Sequence, residues 1–147
     1  MSVKDSAHLR ATVLAVKAAP REVRKQVRSQ TRAVAAPQWK AALASHARTE
    51  AQSRMLVATA RITVSDQSVR VRAAGSKRKV LSGGAIPYRL GKAYEFGRKS
   101  RKATQLPPKN RRGYVFYPAL AEMSPRIIAL WVQTAIRTVY DAIEGKR

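Results

Sequence analysis

The residues able to make or break bonds are few and scattered. The chain holds eight acidic residues, Asp5, Glu22, Glu50, Asp66, Glu95, Glu122, Asp141 and Glu144, two histidines, His8 and His46, and no cysteine. No two carboxylates pair as general acid and base at a helix or strand spacing that looks arranged. The lack of cysteine removes thiolate metal sites and disulfides. Gly83-Gly84 is not followed by the Gly-Lys-Ser/Thr of a phosphate loop. His46 fits better as a cation closing a helix, where it complements the dipole. The pattern points away from an enzyme, and no catalytic residue, cofactor or metal is expected.

The abundant chemistry is positive charge. Thirty Lys and Arg face eight Asp and Glu, a formal +22 at pH 7. A lone subunit with that imbalance repels itself and binds polyanions non-specifically, so nucleic acid, an anionic membrane or acidic protein surfaces are the partners to weigh. From Arg70 to Arg112 the cations follow one another closely, and Glu95 is the only acid among them. The candidate interface residues are Lys77, Arg78, Lys79, Glu95, Arg98, Lys99, Arg101, Lys102, Lys109, Arg111 and Arg112. Such cations could grip phosphates by releasing counterions, with strong salt dependence. No zinc-finger, homeodomain or basic-zipper pattern accompanies them, so contact with DNA would be to the backbone and not to sequence. Glu95 lies among Tyr88, Tyr94 and Phe96; a carboxylate there can hold an arginine of the same chain or of a neighbour.

The elements that must position these residues follow from periodicity. The chain's 147 residues suit a single domain, and an apolar share of 45% is enough for a sizeable core. Ser6 can cap a short helix with Leu9, Val13 and Val16 on one face. Pro20 opens a longer, very basic helix that carries Val23, Val27 and Val34, with a kink or break expected near Ala35 and Ala36, just before Pro37. Trp39, Leu43 and His46 continue its apolar stripe to an end near Ala47 to Thr49. Thr49 to Met55 reads as a loop. Leu56–Val64 and Ser68–Ala73 read as an antiparallel hairpin turning at Ser65-Asp66-Gln67, one face buried and one basic.

Basic loops are expected at about residues 74–87 and 98–113, with a short strand or helical turn at Lys92 to Phe96 between them. Tyr114 to Tyr117 favours a strand, Tyr114 and Phe116 inward and Tyr117 outward. Ser124 and Pro125 look like the cap and first residue of a helix running to about Glu144. Its stripe, Ile128, Trp131, Ala135 and Val139, is widened by Ile127, Val132, Ile136 and Ile143 and leaves apolar area for a neighbour; Gly145 ends it. The fold class expected is α+β: a small antiparallel sheet packed against a long kinked N-terminal helix and a C-terminal amphipathic helix. The longest strongly apolar run, Ile127 to Val132, is far short of the roughly 20 residues of a spanning helix, so no membrane partner is expected. Lys17 cuts the apolar run Ala11 to Val16 short, so neither is export.

The order of motifs is more specific than any one of them. A basic helix bearing Val34-Ala-Ala-Pro-Gln-Trp-Lys40 precedes a basic hairpin at Ala60 to Ala73. Next come Tyr88-Arg-Leu-Gly-Lys-Ala-Tyr-Glu-Phe-Gly97, then Tyr117-Pro-Ala-Leu120 and the final helix. This order resembles the head–tail joining proteins of long-tailed bacteriophages, also called neck or tail-completion proteins, over nearly the whole chain. Glu95-Phe96-Gly97 and Pro118-Ala119-Leu120 carry the likeness most strongly; the segment from Arg98 to Arg112 departs from the family by being long and unusually basic.

The resemblance implies a non-enzymatic structural protein that forms a ring, commonly a hexamer, at the head–tail junction of the virion after assembly in the host cytoplasm. It also implies as partners the connector or stopper ring, the tail terminator and the tail tube; the basic loops, and not the resemblance, add packaged DNA as a partner touched through its backbone. The alternatives are a tail terminator ring, close in shape, and a non-specific nucleic-acid-binding protein.

Overall fold

The computed structural model describes residues 7–77, 84–99 and 106–145. Helix α1 spans Ala7–Ala18 and α2 Arg21–His46; a single turn, α3, covers Glu50–Gln52 and runs into a π-helical turn at Ser53–Val57. Strands β1, Arg61–Val64, and β2, Val69–Arg72, form a two-stranded antiparallel sheet; α4 spans Pro87–Phe96 and α5 Phe116–Ile143. The architecture is α+β, dominated by the long helices α2 and α5. The chain divides into two compact units: Met1–Ala35 with Thr63–Arg70 and Pro125–Arg147, and Ala36–Ile62 with Val71–Ser124.

The first unit is built on a small apolar cluster. Leu9 and Val16 of α1, Val27 of α2, and Trp131 and Ala135 of α5 are buried together, and Val64 and Val69 of the hairpin pack against them. The hairpin turn is tied by serines: the Ser65 amide donates to the Ser68 carbonyl at 2.8 Å, and the Ser68 amide to the Ser65 hydroxyl at 3.0 Å. Asp66 at the tip of that turn lies 3.5 Å from Arg24 and 3.4 Å from Arg28, two cations one helical turn apart on α2. Val34, expected on the buried face, is 43% exposed; Thr31 and Ala35 are fully buried instead. Along the last turns of α5, Ile136, Tyr140 and Ile143 stand exposed at helical spacing. A hydrogen bond with Glu144 holds the Tyr140 phenol above its usual pKa, and the neighbouring Asp141 acts in the same direction.

The second unit packs around Trp39 and Leu43 of α2 and Met55 and Leu56 of the π turn. Trp39 donates its indole N–H to the Arg72 carbonyl at 3.2 Å and meets the Phe116 ring edge-on, with centroids 5.6 Å apart. Buried Gln52 accepts from the Arg48 amide at 2.9 Å and donates to the Tyr94 carbonyl at 3.2 Å, which fixes the short helix to α4.

Of the kink or break expected near Ala35 and Ala36, the break is absent: helix α2 continues through Pro37, and the two compact units part at that place. Proline removes only the bond to the Ala33 carbonyl; its ring faces solvent, while Ala35 and Trp39 on either side are buried. The segment from Thr49 to Val57 is helical, not a loop leading into a strand. The Thr49 hydroxyl caps the Gln52 amide at 3.1 Å, and Gln52, Met55, Leu56 and Thr59 are buried at i, i+3, i+4 and i+7, a helical and not an alternating period.

Residues Lys92 to Phe96 belong to a full helix that starts earlier, with Pro87 in its first turn. Tyr114 to Tyr117 is no strand: Phe116 begins α5, and Ser124-Pro125 lies inside that helix, the Ser124 hydroxyl donating to the Leu120 carbonyl at 2.6 Å. The alternation expected of a strand is absent too: Val115 is fully buried, Tyr114 and Phe116 on either side of it are half-buried, and Tyr117 is exposed. Ser6 lies outside the described residues.

A carboxylate latch at the base of the basic segment

The start of α5 is made by a residue twenty positions upstream. Helix α4 ends at Phe96 and places Glu95 in its last turn, only 4% exposed. One carboxylate oxygen, Oε2, accepts the Val115 amide at 3.1 Å and the Phe116 amide at 2.8 Å; the other, Oε1, accepts the Tyr117 amide at 3.1 Å. The Tyr114 amide donates to the Glu95 main-chain carbonyl at 2.9 Å. Four successive N–H groups at the head of α5 therefore end on one residue. A helix leaves its first amides without internal partners and carries partial positive charge there, so a buried carboxylate is the group such an end requires.

The expectation that Glu95 holds an arginine is thereby overturned. Its carboxylate is occupied by its own backbone and is not presented to a neighbour. The Tyr117-Pro118-Ala119-Leu120 stretch reads consistently with this, because Pro118 falls in the first turn, where a missing N–H is harmless.

Two glycines make the latch possible. Gly113 has φ +82°, and a side chain there would run into the Glu95 carboxylate. Gly97 has φ +81°, and a side chain there would meet the Pro108 carbonyl. Between them the returning chain lies antiparallel to the end of α4: the Arg98 amide donates to the Pro107 carbonyl and the Asn110 amide to the Phe96 carbonyl, both at 2.8 Å. Asn110 organises the turn that follows. Its Oδ1 accepts the Arg112 amide and its Nδ2 donates to the Gly113 carbonyl, each at 3.0 Å. The Tyr114 hydroxyl donates back to the Pro108 carbonyl at 2.8 Å, and the Phe96 ring lies 5.5 Å from the Tyr117 ring.

This framework gathers cations. Lys99, Lys109, Arg111 and Arg112 are exposed and Arg98 is half-buried. Among the described residues none of the five enters an ion pair. Sequence reasoning missed a sixth: Arg48, just beyond α2, lays its guanidinium over the Tyr114 ring, 5.6 Å from the centroid. The only signal for it was an arginine in a helix-ending loop. Lys77 sits elsewhere, over the Tyr88 ring at 4.6 Å. Arg78, Lys79, Arg101 and Lys102 lie outside the described residues.

As chemistry, the site is a positive surface on a hydrogen-bonded frame. His46, at the end of α2 as expected, has Nε2 3.2 Å from Oε2 of Glu122, an exposed pair. Among the described residues no cluster of His, Cys, Asp or Glu is fit to hold a metal ion. None of the helices, over the same residues, is long and apolar enough to cross a membrane. Comparison with protein-family models, with curated proteins and with solved structures finds no match to the chain.

Proposed function

We propose that this protein is a structural subunit of the head–tail junction of a long-tailed bacteriophage, a neck or tail-completion protein that closes into a ring with copies of itself. The observation that carries the reading is the latch. Glu95-Phe96-Gly97 and Tyr117-Pro118-Ala119-Leu120, the two motifs of the head–tail joining resemblance, are one physical unit through Glu95 and the amides of residues 115–117. A motif pair tied together by hydrogen bonds suits a subunit whose task is to keep its shape among neighbours.

Two further features support a protein that works among neighbours. The exposed Ile136, Tyr140 and Ile143 give α5 an apolar edge suited to a copy or partner. The formal +22 calls for oppositely charged surroundings. In this reading the partners are the connector or stopper ring, the tail terminator and the tail tube, and the subunit carries out no bond chemistry.

The tests are genetic and visual. Deleting the coding sequence from its phage should leave filled heads and finished tails that fail to join. Tails of irregular, excessive length would instead assign the chain to the tail terminator ring. Normal infectious particles would reject both roles.

A further inference from the structure

We infer that the surface formed by Arg98, Lys99, Lys109, Arg111, Arg112 and Arg48 is a sequence-independent binding site for the phosphate backbone of duplex DNA. The inference rests on the junction reading only for where the protein would meet DNA; the chemistry stands on the surface itself.

Three observations carry it. First, the cations come from separate stretches of chain and are brought together by fixed geometry. Hydrogen bonds from Arg98 to Pro107 and from Asn110 to Phe96 hold the two arms side by side, the Asn110 turn presents Arg111 and Arg112, and Arg48 is added through Tyr114. Preset charges lose less entropy when they engage a ligand than charges on free arms do. Second, among the described residues none of these cations enters an ion pair. Glu95 is the only carboxylate from Arg70 to Arg112, and it is buried under the start of α5.

Third, charge outweighs apolar area on this surface. Protein interfaces centre on several apolar or aromatic anchors. Here Tyr114 is covered by Arg48 and hydrogen-bonded to Pro108, and Tyr117, which packs on Phe96 and Phe116, keeps 49% of its surface exposed. A face that sets six cations against one half-exposed ring among its described residues matches a nucleic-acid interface. With the cations borne on loops and turns and no helix offered to a groove, the contacts are to phosphate and carry no base preference.

The test uses the full chain and a short labelled duplex of arbitrary sequence, titrated by fluorescence anisotropy over a range of salt. The quadruple variant K99Q/K109Q/R111Q/R112Q is compared with R21Q/K25Q/R32Q/K40Q, which removes equal charge from exposed positions on α2. Both are checked for wild-type circular dichroism and, by native mass, for wild-type assembly. Loss of DNA binding with assembly intact thus separates this site from the ring reading.

The loop variant should bind about 10–100-fold more weakly near physiological salt, and its log K against log [salt] plot should be shallower by roughly 3–4, near 0.9 for each phosphate no longer neutralised. The α2 variant should lose less than about threefold, and an unrelated duplex should bind as the first does. Equal losses in the two variants would overturn the inference in favour of diffuse charge. Unchanged DNA binding with lost retention on polyglutamate would overturn it in favour of an acidic protein partner.

Discussion

The Glu95 carboxylate occupies the volume that a side chain at position 113 would need, and Gly113, with φ +82°, is what allows it to sit there. From that position it accepts the amides of Val115, Phe116 and Tyr117. The pairing turns a carboxylate in a cationic stretch into the cap of α5, and among the described residues the cations of that stretch enter no ion pair.

Removing the cap should be costly. Glu95→Ala leaves three buried or half-buried amides without partners and should destabilise the protein by about 3 kcal/mol or more. Glu95→Gln keeps the shape but replaces the charge and turns an NH2 group toward N–H donors; about 1.5–3 kcal/mol should be lost. Urea unfolding of the full chain measures both. A loss under half a kcal/mol for Glu95→Ala would show that the cap is decorative.

The glycines separate conformation from space. Gly145→Ala meets only the φ penalty, since nothing lies within 4 Å of a new Cβ there, and should cost about 1 kcal/mol. Gly97→Ala and Gly113→Ala add a collision with the Pro108 carbonyl and with the Glu95 carboxylate, and each should cost at least about 2 kcal/mol more. Thermal melts of the three variants should show that order; equal shifts would contradict the packing at the latch.

Thr31 is fully buried and its hydroxyl has no hydrogen-bond partner among the described residues. Thr31→Val removes that group at nearly constant volume and should stabilise the fold by about 0.5–1 kcal/mol. A clear destabilisation in the same melt would reveal a partner for the hydroxyl.

Pro37 stands exposed inside α2 and deprives the helix of one bond. Pro37→Ala should restore it and raise stability by about 1–2 kcal/mol, part of the helix-interior penalty being offset by the freer unfolded chain. A fall in the melting temperature would mean that the proline serves a shape that an unbroken bond would disturb.

Much of this is legible in the chain because it is local. Apolar spacing predicts α1, α2 and the second half of α5; the alternation of Ile62, Val64, Val69 and Val71 predicts the hairpin; Gly145 predicts the end of the last helix. What stays hidden depends on residues far apart. Aromatic Tyr114 to Tyr117 favours a strand on its own and becomes the head of a helix because Glu95, on another helix, supplies acceptors for its amides. Gln52, Met55 and Leu56 read as loop and strand by polarity, and only their period reveals the turn they form. Asp66 is recognisable as a turn residue, but its pairing with Arg24 and Arg28 needs the hairpin to be placed first. The cationic surface is visible as composition; Arg48 as part of it is not.

The central claim, that this chain acts by closing into a ring with its own copies, is tested most directly by native mass spectrometry of the purified full-length protein over a range of concentration. A closed ring predicts one dominant assembly at a fixed integral multiple of the subunit mass, with the multiple unchanged as protein is added. A single subunit at every concentration, in low and in moderate salt alike, would contradict it.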